Sequence, residues 1–325
     1  MPQKHRVRNW NAYNTALRRR GDLFIYFNES LVQNGWYYDG KKKPGGNRIY
    51  SDNAIAMILT IRYLLKLPLR QTQGLIESLA RKMDLDLSIP DYSTLSRRAK
   101  SLSIKIRQYG KIDPNKPLHL VADSTGLSIY SATYLHTHRH SADRLKKAES
   151  WKKLHIASDL ASHQIYNGCL TDSTVQDAIP VEFLTNLPGK KIASIRADKA
   201  YDKRHCYRRA HALAAQAIIP PMKNAIVQRC SQKSKSYEEA LAARDEAINF
   251  IRGHPTYDEG VQAWKKRTGY HKRSHIEAVN QRYKSAFGHT LSSKDAEARD
   301  VEITIKLNIL NLQASLGVAV YKHVT

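Results

Sequence analysis

The sequence predicts an α/β protein in which helices flank a mixed sheet and a helical region precedes it. Three observations lead to this fold class. Apolar residues recur at three- and four-residue intervals over residues 50–108, which is typical of packed helices. From residue 117 the pattern changes to three strand-like segments in a row. Farther along, strand-like and helix-like segments alternate, which is typical of βαβ units joined to a mixed sheet.

Residues 1–49 are predicted to be a basic N-terminal arm. No acidic residue precedes Asp22, and the bases of this stretch include Arg18, Arg19 and Arg20. Such a run favours contact with a polyanion, although it is equally typical of a solvated terminus. The stretch therefore predicts a DNA contact only if the body of the protein binds DNA.

Residues 50–112 are predicted to be a domain of three helices. Ser51 can cap the first helix, and the second spans about 69–83. Pro90-Asp91-Tyr92-Ser93 opens the third helix, with Asp91 or Ser93 as its cap. The third helix has one apolar face that runs to Ile106, and four of its polar residues could contact DNA: Ser93, Thr94, Arg97 and Arg98. A short basic helix at the end of three favours a helix-turn-helix, and an ordinary helical subdomain with a solvated face is the alternative.

Residues 113–325 are predicted to be an α/β domain with a helical insertion at about 224–268. The predicted strands are Leu118–Leu127, Trp151–Asp159, Gln164–Thr171, Lys191–Asp198 and Ala217–Pro220. The predicted helices are Asp177–Leu187, Arg204–Ala215, 270–290 and Ile303–Val320.

The charge balance indicates a polyanionic partner. The chain has 325 residues with 53 Lys and Arg against 29 Asp and Glu, a net charge of +24. Nucleic acid is the partner that such an excess favours, because binding releases counterions from the phosphates. No apolar run reaches about 18 residues, so no membrane span is predicted. The three cysteines are far apart and the N-terminus lacks an apolar signal core, which indicates a cytosolic, reducing compartment.

Two aspartates lie in apolar strand segments. Asp123 follows the run L-H-L-V-A, and Asp198 follows K-I-A-S-I-R-A. An ionised carboxylate inside a core is costly unless a cation pairs with it, so two of them favour a metal or phosphate site. The alternative for either residue is an aspartate that caps the turn after its strand.

A third carboxylate lies among bases in the predicted helix 270–290. Tyr270, Arg273, Glu277 and Lys284 are spaced 3, 4 and 7 residues apart. At about 100° per residue, they fall within roughly one sixth of a helix circumference. A solvated charged face is the alternative, but a lone acid among bases is better explained as a metal ligand on a surface that faces DNA.

Three carboxylates suit metal-dependent phosphodiester chemistry. Two Mg²⁺ ions about 4 Å apart can activate the attacking oxygen and stabilise the leaving one. Mg²⁺ prefers hard oxygen ligands, so the carboxylates and the substrate phosphate suffice. The sequence contains no competing Ser/His/Asp or Cys/His arrangement and no phosphate-binding G-x-x-x-x-G-K-[ST] loop.

Several motifs, in their order along the chain, resemble those of bacterial insertion-sequence transposases. The Y-x2-R-x3-E-x6-K spacing at 270–284 is similar to the signature of that group. D-S-T-G-L at 123–127, W-K-K-L-H at 151–155, D-K-A-Y-D at 198–202 and I-I-P-P-x-K-N-A at 218–225 look like insertion-sequence family five. The resemblance covers roughly residues 10–320.

The resemblance implies a ribonuclease-H-like catalytic domain with Asp123, Asp198 and Glu277 as metal ligands. Two Mg²⁺ ions, for which Mn²⁺ can substitute, would bind there, and Tyr270, Arg273 and Lys284 would position the DNA. It implies cleavage of transposon ends, joining of their 3′-hydroxyls to double-stranded target DNA, a homo-oligomer such as a dimer that pairs two ends, and a nucleoid-associated bacterial protein.

Further DNA contacts are predicted at Lys152, Lys153 and Lys199. Lys199 departs from the family, in which a small residue more often follows the aspartate. The loop with His136, His138 and His140 is predicted to reach toward phosphate, and a zinc site is its alternative. Asp159 is the best substitute ligand.

Two other functions are compatible with the sequence. One is a non-catalytic, domesticated DNA-binding protein that keeps the helix-turn-helix. The other is a nuclease of the same fold that hydrolyses DNA without joining it. The presence of all three acids argues against the first, and the long DNA-binding portion argues against the second.

Overall fold

The computed structural model describes residues 5–27, 29–40, 48–129, 151–228 and 238–323. The predicted histidine loop, Cys230 and part of the predicted insertion lie outside these described residues. The chain forms two compact units. One takes its residues from 1–110, 129–132 and 283–325, and the other from 111–128 and 133–282.

The first unit begins with short elements in the stretch predicted to be a basic arm. They are strand β1 (His5–Val7) and helices α1 (Trp10–Arg20) and α2 (Glu29–Asn34). Two short strands lie near the end of the chain, β7 (Thr290–Leu291) and β8 (Tyr321–His323). β1 pairs antiparallel with β8, and Ala16 of α1 is buried. The stretch thus contributes structure to its unit, and its role as a DNA-contacting arm stays a prediction.

Three helices follow where three were predicted. They are α3 (Asp52–Leu65), α4 (Leu69–Lys82) and α5 (Tyr92–Ala99), and each of the three packs against the other two. The Ser51 cap is confirmed, because Ser51 Oγ accepts a hydrogen bond from Ala54 N at 3.0 Å. Of the two cap candidates for the third helix, Asp91 is the cap, because its Oδ1 accepts a hydrogen bond from Ser93 N at 2.8 Å.

The prediction that the third helix continues to Ile106 is wrong, because α5 ends at Ala99. The backbone after it finds partners on another helix, α11 (Ala296–Ser315). Asn308 accepts a hydrogen bond from Arg107 N at 2.7 Å and donates one to Lys105 O at 3.1 Å. These side-chain contacts replace the helical hydrogen bonds that the apolar spacing predicted.

α11 begins seven residues before its predicted start and contains a buried ion pair that its apolar pattern did not indicate. Lys306 Nζ lies 2.5 Å from Glu302 Oε1, and both side chains are almost fully buried. Glu302 also accepts hydrogen bonds from the backbone amides of Ser292 and Ser293, at 3.0 and 2.8 Å. Although burial acts in the opposite direction, these contacts hold the pKa of Glu302 below its ordinary value.

The cation of this pair is enclosed by aromatic rings. Lys306 Nζ lies 5.5–5.8 Å from the ring centroids of Tyr63, Tyr283 and Phe287. Ring faces attract a cation, which partly offsets the cost of its removal from water. The pair therefore joins α3, α11 and the end of helix α10 (Ser274–Phe287) in the core of the first unit.

The second unit is built on five strands in the order β4-β3-β2-β5-β6. Their bounds are β2 (Leu118–Ile129), β3 (Trp151–Asp159), β4 (Ile165–Asp172), β5 (Ile192–Arg196) and β6 (Gln216–Ile218). β3 pairs antiparallel with β2 and β4, and β5 pairs parallel with β2 and β6. The predicted mixed sheet is confirmed, and each predicted strand of residues 117–220 is present with small shifts at its ends.

The helices of the second unit match the predictions less evenly. They are α6 (Val181–Leu184), α7 (Arg204–Ala212), α8 (Ala242–Arg252), α9 (Tyr257–Thr268) and the first part of α10. The predicted helix Asp177–Leu187 is wrong except for the four residues of α6. Turns occupy the preceding residues, and Asp177 pairs with Lys153 at 3.0 Å instead of beginning a helix. The insertion, predicted to be mostly helical, is helical over most of its described residues from 239 onward, whereas residues 224–228 form no helix.

The register of β2 against β5 determines where the two aspartates lie. Val121 pairs with Arg196, and paired residues in neighbouring strands point to the same face. Asp123 and Asp198 each follow by two residues, so alternation along extended backbone directs both carboxylates to that face. In the described residues, we find no helix whose length and apolar character would let it cross a membrane.

We expect Lys306→Met to lower the free energy of unfolding by about 3–5 kcal/mol, because it leaves a buried carboxylate without a counter-charge. Adding Glu302→Gln should restore most of that loss, since a neutral amide oxygen can still accept from the serine amides. Urea titrations of the wild type and both variants measure this. Wild-type stability in the single variant would contradict a structural role for the pair.

Candidate active site

Asp123, one of the three predicted metal ligands, lies inside β2. Its side chain is 17% exposed. Its Oδ2 lies 3.3 Å from Arg273 Nη2 and accepts a hydrogen bond from Asn280 Nδ2 at 3.4 Å. Burial raises the pKa of Asp123, and the Arg273 guanidinium opposes this rise. The charges of Asp198 and Glu277 raise the pKa of Asp123 further, so both acids act on Asp123.

Asp198 follows the last residues of β5 and begins a 3₁₀ turn, Lys199–Tyr201. Its Oδ1 accepts a hydrogen bond from Ala200 N at 2.9 Å. The carboxylate is therefore a turn cap, which is what the structural alternative for a strand-end aspartate predicts. The cap also holds the carboxylate at the end of its strand, beside Asp123. Asp198 can therefore be both a turn cap and a member of the acidic site.

The backbone of residues 270–290 differs from the predicted single helix. Gly269 ends α9 with a left-handed φ of 62°, residues Tyr270–Arg273 form a 3₁₀ turn, and α10 begins only at Ser274. The prediction that four residues share one continuous helix face is therefore wrong for Tyr270 and Arg273. A left-handed residue redirects the chain, which the residue spacing alone does not encode.

Arg273 and Glu277 nevertheless come together at the site. Arg273 Nη1 lies 2.6 Å from Glu277 Oε1, while Nη2 of the same guanidinium faces Asp123. One cation thus joins two carboxylates that are 154 residues apart in the sequence (277 − 123). The Glu277 side chain is 59% exposed, so this acid lies at the open side of the site.

Two further side chains complete the cluster. Tyr270 is half-buried, with its ring 5.7 Å from that of Trp264. Burial raises its pKa, and charges of the carboxylates contribute to the rise, so its hydroxyl belongs to the same electrostatic cluster. Asn280 is buried, holds Asp123, and was not predicted. Its position three residues after Glu277 was the signal that could have identified it.

The other predicted DNA contacts are of two kinds: side chains that are exposed or half-exposed, and side chains that are engaged in ion pairs. Lys199 is exposed beside Asp198, and Lys284 is half-exposed two turns after Glu277 on α10. Lys152 pairs with Asp172, and Lys153 pairs with Asp177. Both strand lysines therefore already have protein partners.

Asp159, the substitute ligand considered from the sequence, has a structural task. It is 2% exposed. Its oxygens accept hydrogen bonds from the backbone amides of His119, Ala161 and Ser162, at 2.7–3.1 Å. The contacts with Ala161 and Ser162 close the turn between β3 and β4, and the contact with His119 joins Asp159 to β2, so both Asp159 oxygens have protein partners.

The donor set fits a divalent cation. In the part of the chain that the structure describes, no three acid, histidine or cysteine side chains are already gathered closely enough to hold an ion. The guanidinium of Arg273 lies between Asp123 and Glu277 instead, which demonstrates that this position attracts a cation. Carboxylate oxygens are the hard ligands that Mg²⁺ prefers, and the neighbouring acids raise the negative potential.

Two protein-family models match the chain. A family model described as transposase DDE domain matches residues 114–312, and a second with the same description matches residues 18–132. The first match covers more than half of the chain, so the chain belongs to the DDE transposase family. DNA is the substrate of this family, and a divalent metal, generally Mg²⁺, supports its chemistry. Membership of insertion-sequence family five stays a prediction.

We expect Arg273→Gln to lower the Mn²⁺ concentration needed for half of the metal-induced rise in Tm by roughly 3–10-fold without DNA. The variant removes a cation that competes for the carboxylates, and an ion pair with an exposed acid such as Glu277 contributes on the order of 1 kcal/mol. Lys272→Gln is the matched control, because it removes a neighbouring exposed charge. Equal metal dependence in both variants would show that the guanidinium does not compete.

Proposed function

We propose that this protein binds the ends of a mobile DNA element, cleaves them with metal-dependent phosphodiester chemistry and joins their 3′-hydroxyls to target DNA. Asp123, Asp198 and Glu277 are the proposed metal ligands. The observation that carries the proposal is the meeting of Asp123 and Glu277 on one guanidinium beside Asp198, because three separate chain segments bring their acids to one place.

The chain's own residues prepare the site in three ways. Burial makes Asp123 costly to leave without a cation, so it favours ligands of positive charge. Asn280 and the cap at Asp198 restrict two of the carboxylates, which lowers the entropy lost on binding. When bound, two Mg²⁺ ions would activate the attacking oxygen and stabilise the leaving oxygen.

Arg273 changes partner in this proposal. Its guanidinium neutralises the acids before DNA arrives and then pairs with a phosphate, for which its planar fork is well suited. Tyr270, Lys199 and Lys284 lie on the same segments as the acids and would hold neighbouring parts of the DNA end. Lys152 and Lys153 would have to leave their acidic partners first, which makes them weaker candidates.

Helices α3–α5 are the proposed helix-turn-helix. Ser93 and Arg97 are exposed on α5 and Thr94 is half-buried, so they are available to a major groove. Arg98 is already engaged, because it lies 2.6 Å from Asp52 and donates to Tyr50 O at 2.9 Å. We therefore leave Arg98 out of the proposed DNA surface. In α1, Arg18 and Arg19 are exposed, whereas Arg20 donates to Gly317 O at 2.6 Å.

The two alternative functions, a non-catalytic DNA-binding protein and a nuclease that only hydrolyses, require different features of the molecule. A non-catalytic DNA-binding protein has no use for three convergent acids, so their geometry favours an enzyme. A nuclease that only hydrolyses would share the site, and a strand-transfer assay separates it from a transposase. Joining two ends in one reaction requires that two copies of the chain meet, so a dimer in the DNA complex is part of the proposal.

We expect Glu277→Gln to reduce cleavage and joining of a labelled end duplex in Mg²⁺ by about 100-fold or more, because a ligand charge is lost while the helix is kept. Binding measured by gel mobility shift should persist. Glu259→Gln, an exposed acid on α9, is the matched control and should keep activity. Full activity in Glu277→Gln would remove it from the ligand set. Binding without cleavage by the wild type would favour the non-catalytic alternative.

We expect Arg97→Ala to weaken binding to the end sequence by roughly 5–100-fold while binding to a scrambled duplex changes little, if α5 reads base edges. Fluorescence anisotropy on both duplexes measures this, with Lys82→Ala on α4 as the control. An equal loss on both duplexes would indicate a phosphate contact and would contradict base reading by Arg97.

A further inference from the structure

The first unit contains a cavity of about 720 Å³ whose use the proposed function does not explain. It lies between the end of α3, the start of α4, α5 and the start of α11. A volume of this size is typical of ligand sites. Of the described residues that line it, four are basic and one is acidic: Arg62, Lys66, Lys294, Lys306 and Asp295.

Two of these five charges are balanced by protein partners. Lys306 pairs with Glu302 in the buried ion pair described above. Asp295 Oδ2 lies 3.0 Å from the ammonium of Lys100, which does not line the cavity. The one acid among the described lining residues is thus already paired, so it does not offset the remaining cations.

Three cations of the cavity have only uncharged partners or none among the described residues. Arg62 donates to two neutral oxygens, Leu67 O and the Tyr63 hydroxyl, both at 3.3 Å. Lys66 follows α3 as its left-handed cap, and Lys294 precedes α11. Both lysines are exposed, and neither forms an ion pair with a described residue. The cavity therefore has an excess of positive charge at its rim.

The inner wall of the cavity is polar as well. The hydroxyls of Tyr63 and Ser293 lie 3.3 Å apart, and both residues are buried. Burial lowers the pKa of Lys306, its ion pair opposes this change, and the charges of Arg62 and Lys66 add to the lowering. The cations of the rim therefore act on the interior of the cavity, where they would stabilise an anion.

The aromatic ring of Tyr63 offers little room for a stacked base. The guanidinium carbon of Arg62 lies 4.9 Å from the ring centroid, and Lys306 Nζ lies 5.5 Å from it. Two cations thus already lie over this ring. Guanidinium and ammonium groups bind phosphate oxygens strongly, so the cavity suits a phosphate without its base.

The cavity lies beside the helix that is proposed to enter a DNA groove. Ser96 and Ala99 of α5 line it, and Arg97 between them is exposed. A major groove is only about 12 Å wide, so a helix inside it has backbone phosphates on both sides. A cationic cavity next to such a helix is therefore in a position to meet one of these phosphates.

We propose that Arg62, Lys66 and Lys294 bind a backbone phosphate of the DNA that α5 contacts. The inference rests on the proposed helix-turn-helix of α3–α5. The guanidinium of Arg62 would bind the phosphate from within the cavity, and the two lysines would bind it at the rim. Contacts of this kind fix the register of a protein on the duplex and carry no sequence information themselves.

The test combines Lys66→Gln with Lys294→Gln in the full chain. Both side chains are exposed, so this Gln pair should keep the wild-type Tm. The matched control combines Lys82→Gln with Lys105→Gln, which removes two exposed cations of the same unit that do not line the cavity. The conservative variant combines Lys66→Arg with Lys294→Arg, because it keeps both charges.

Fluorescence anisotropy over a range of salt concentrations measures the contact on the end duplex and on a scrambled duplex. Each phosphate contact contributes about 0.9 to the slope of log Kd against log salt concentration. The Gln pair should therefore lower this slope by about 1 and weaken binding to both duplexes by the same factor. The control pair and the conservative variant should keep the wild-type slope.

A free phosphate compound is the other source of the same chemistry, and inorganic pyrophosphate is its probe in isothermal titration calorimetry. A Gln pair that loses affinity for pyrophosphate but keeps the wild-type salt slope would assign the cavity to a free phosphate compound and overturn the proposal. An equal fall of the slope in the control pair would also overturn it, because the total charge would then be the cause.

Failure of the proposed function gives a different result. The wild type would then cleave no end duplex, whatever its affinity for DNA. The salt slope can still be read on the scrambled duplex, because it requires neither cleavage nor preference for the end sequence.

Discussion

A carboxylate in the interior of a strand requires a cation, and the second unit is arranged around this requirement at Asp123. The guanidinium of Arg273 is the cation that pairs with Asp123, and the same guanidinium also pairs with Glu277. To bring Arg273 to this position, the chain leaves α9 through a left-handed glycine and forms a 3₁₀ turn before α10 begins. The irregular backbone at 269–273 is therefore part of how the acids are assembled, and it costs less than an unpaired buried charge.

The first unit also contains a buried carboxylate, Glu302, and its counter-charge is a buried lysine. Glu302 and Lys306 are both buried, are neighbours on one helix, and are surrounded by aromatic rings and backbone donors. Loss of either charge would leave the other buried without a counter-charge. Arg273, in contrast, shares its charge between two acids, one of which is mostly exposed. A cation in that position can be replaced, which is the property that a metal-dependent site needs.

The family match and the geometry of the site give different information about this protein. The family match establishes a DDE transposase. The geometry adds which side chains hold the acids in this chain, namely Arg273, Asn280 and the turn capped by Asp198. It also removes candidates: Asp159 closes a turn, and Arg98 is tied to Asp52 and Tyr50. A charged residue type in the sequence therefore did not show whether that side chain is available to DNA or metal. Its ion pairs and hydrogen bonds within the protein depend on the tertiary structure.

The sequence by itself determined the strands, the mixed sheet, the helix cap at Ser51, and the three acids as candidates. These features depend on local patterns: alternation along a strand, the preference of short polar residues for caps, and the cost of a carboxylate in an apolar run. Only the tertiary structure decided where α5 ends, how little of residues 177–187 is helical, and that Asn280 contacts Asp123. Those outcomes depend on partners far away in the chain, such as Asn308 for Arg107, whose distance in sequence exceeds what any local pattern can encode.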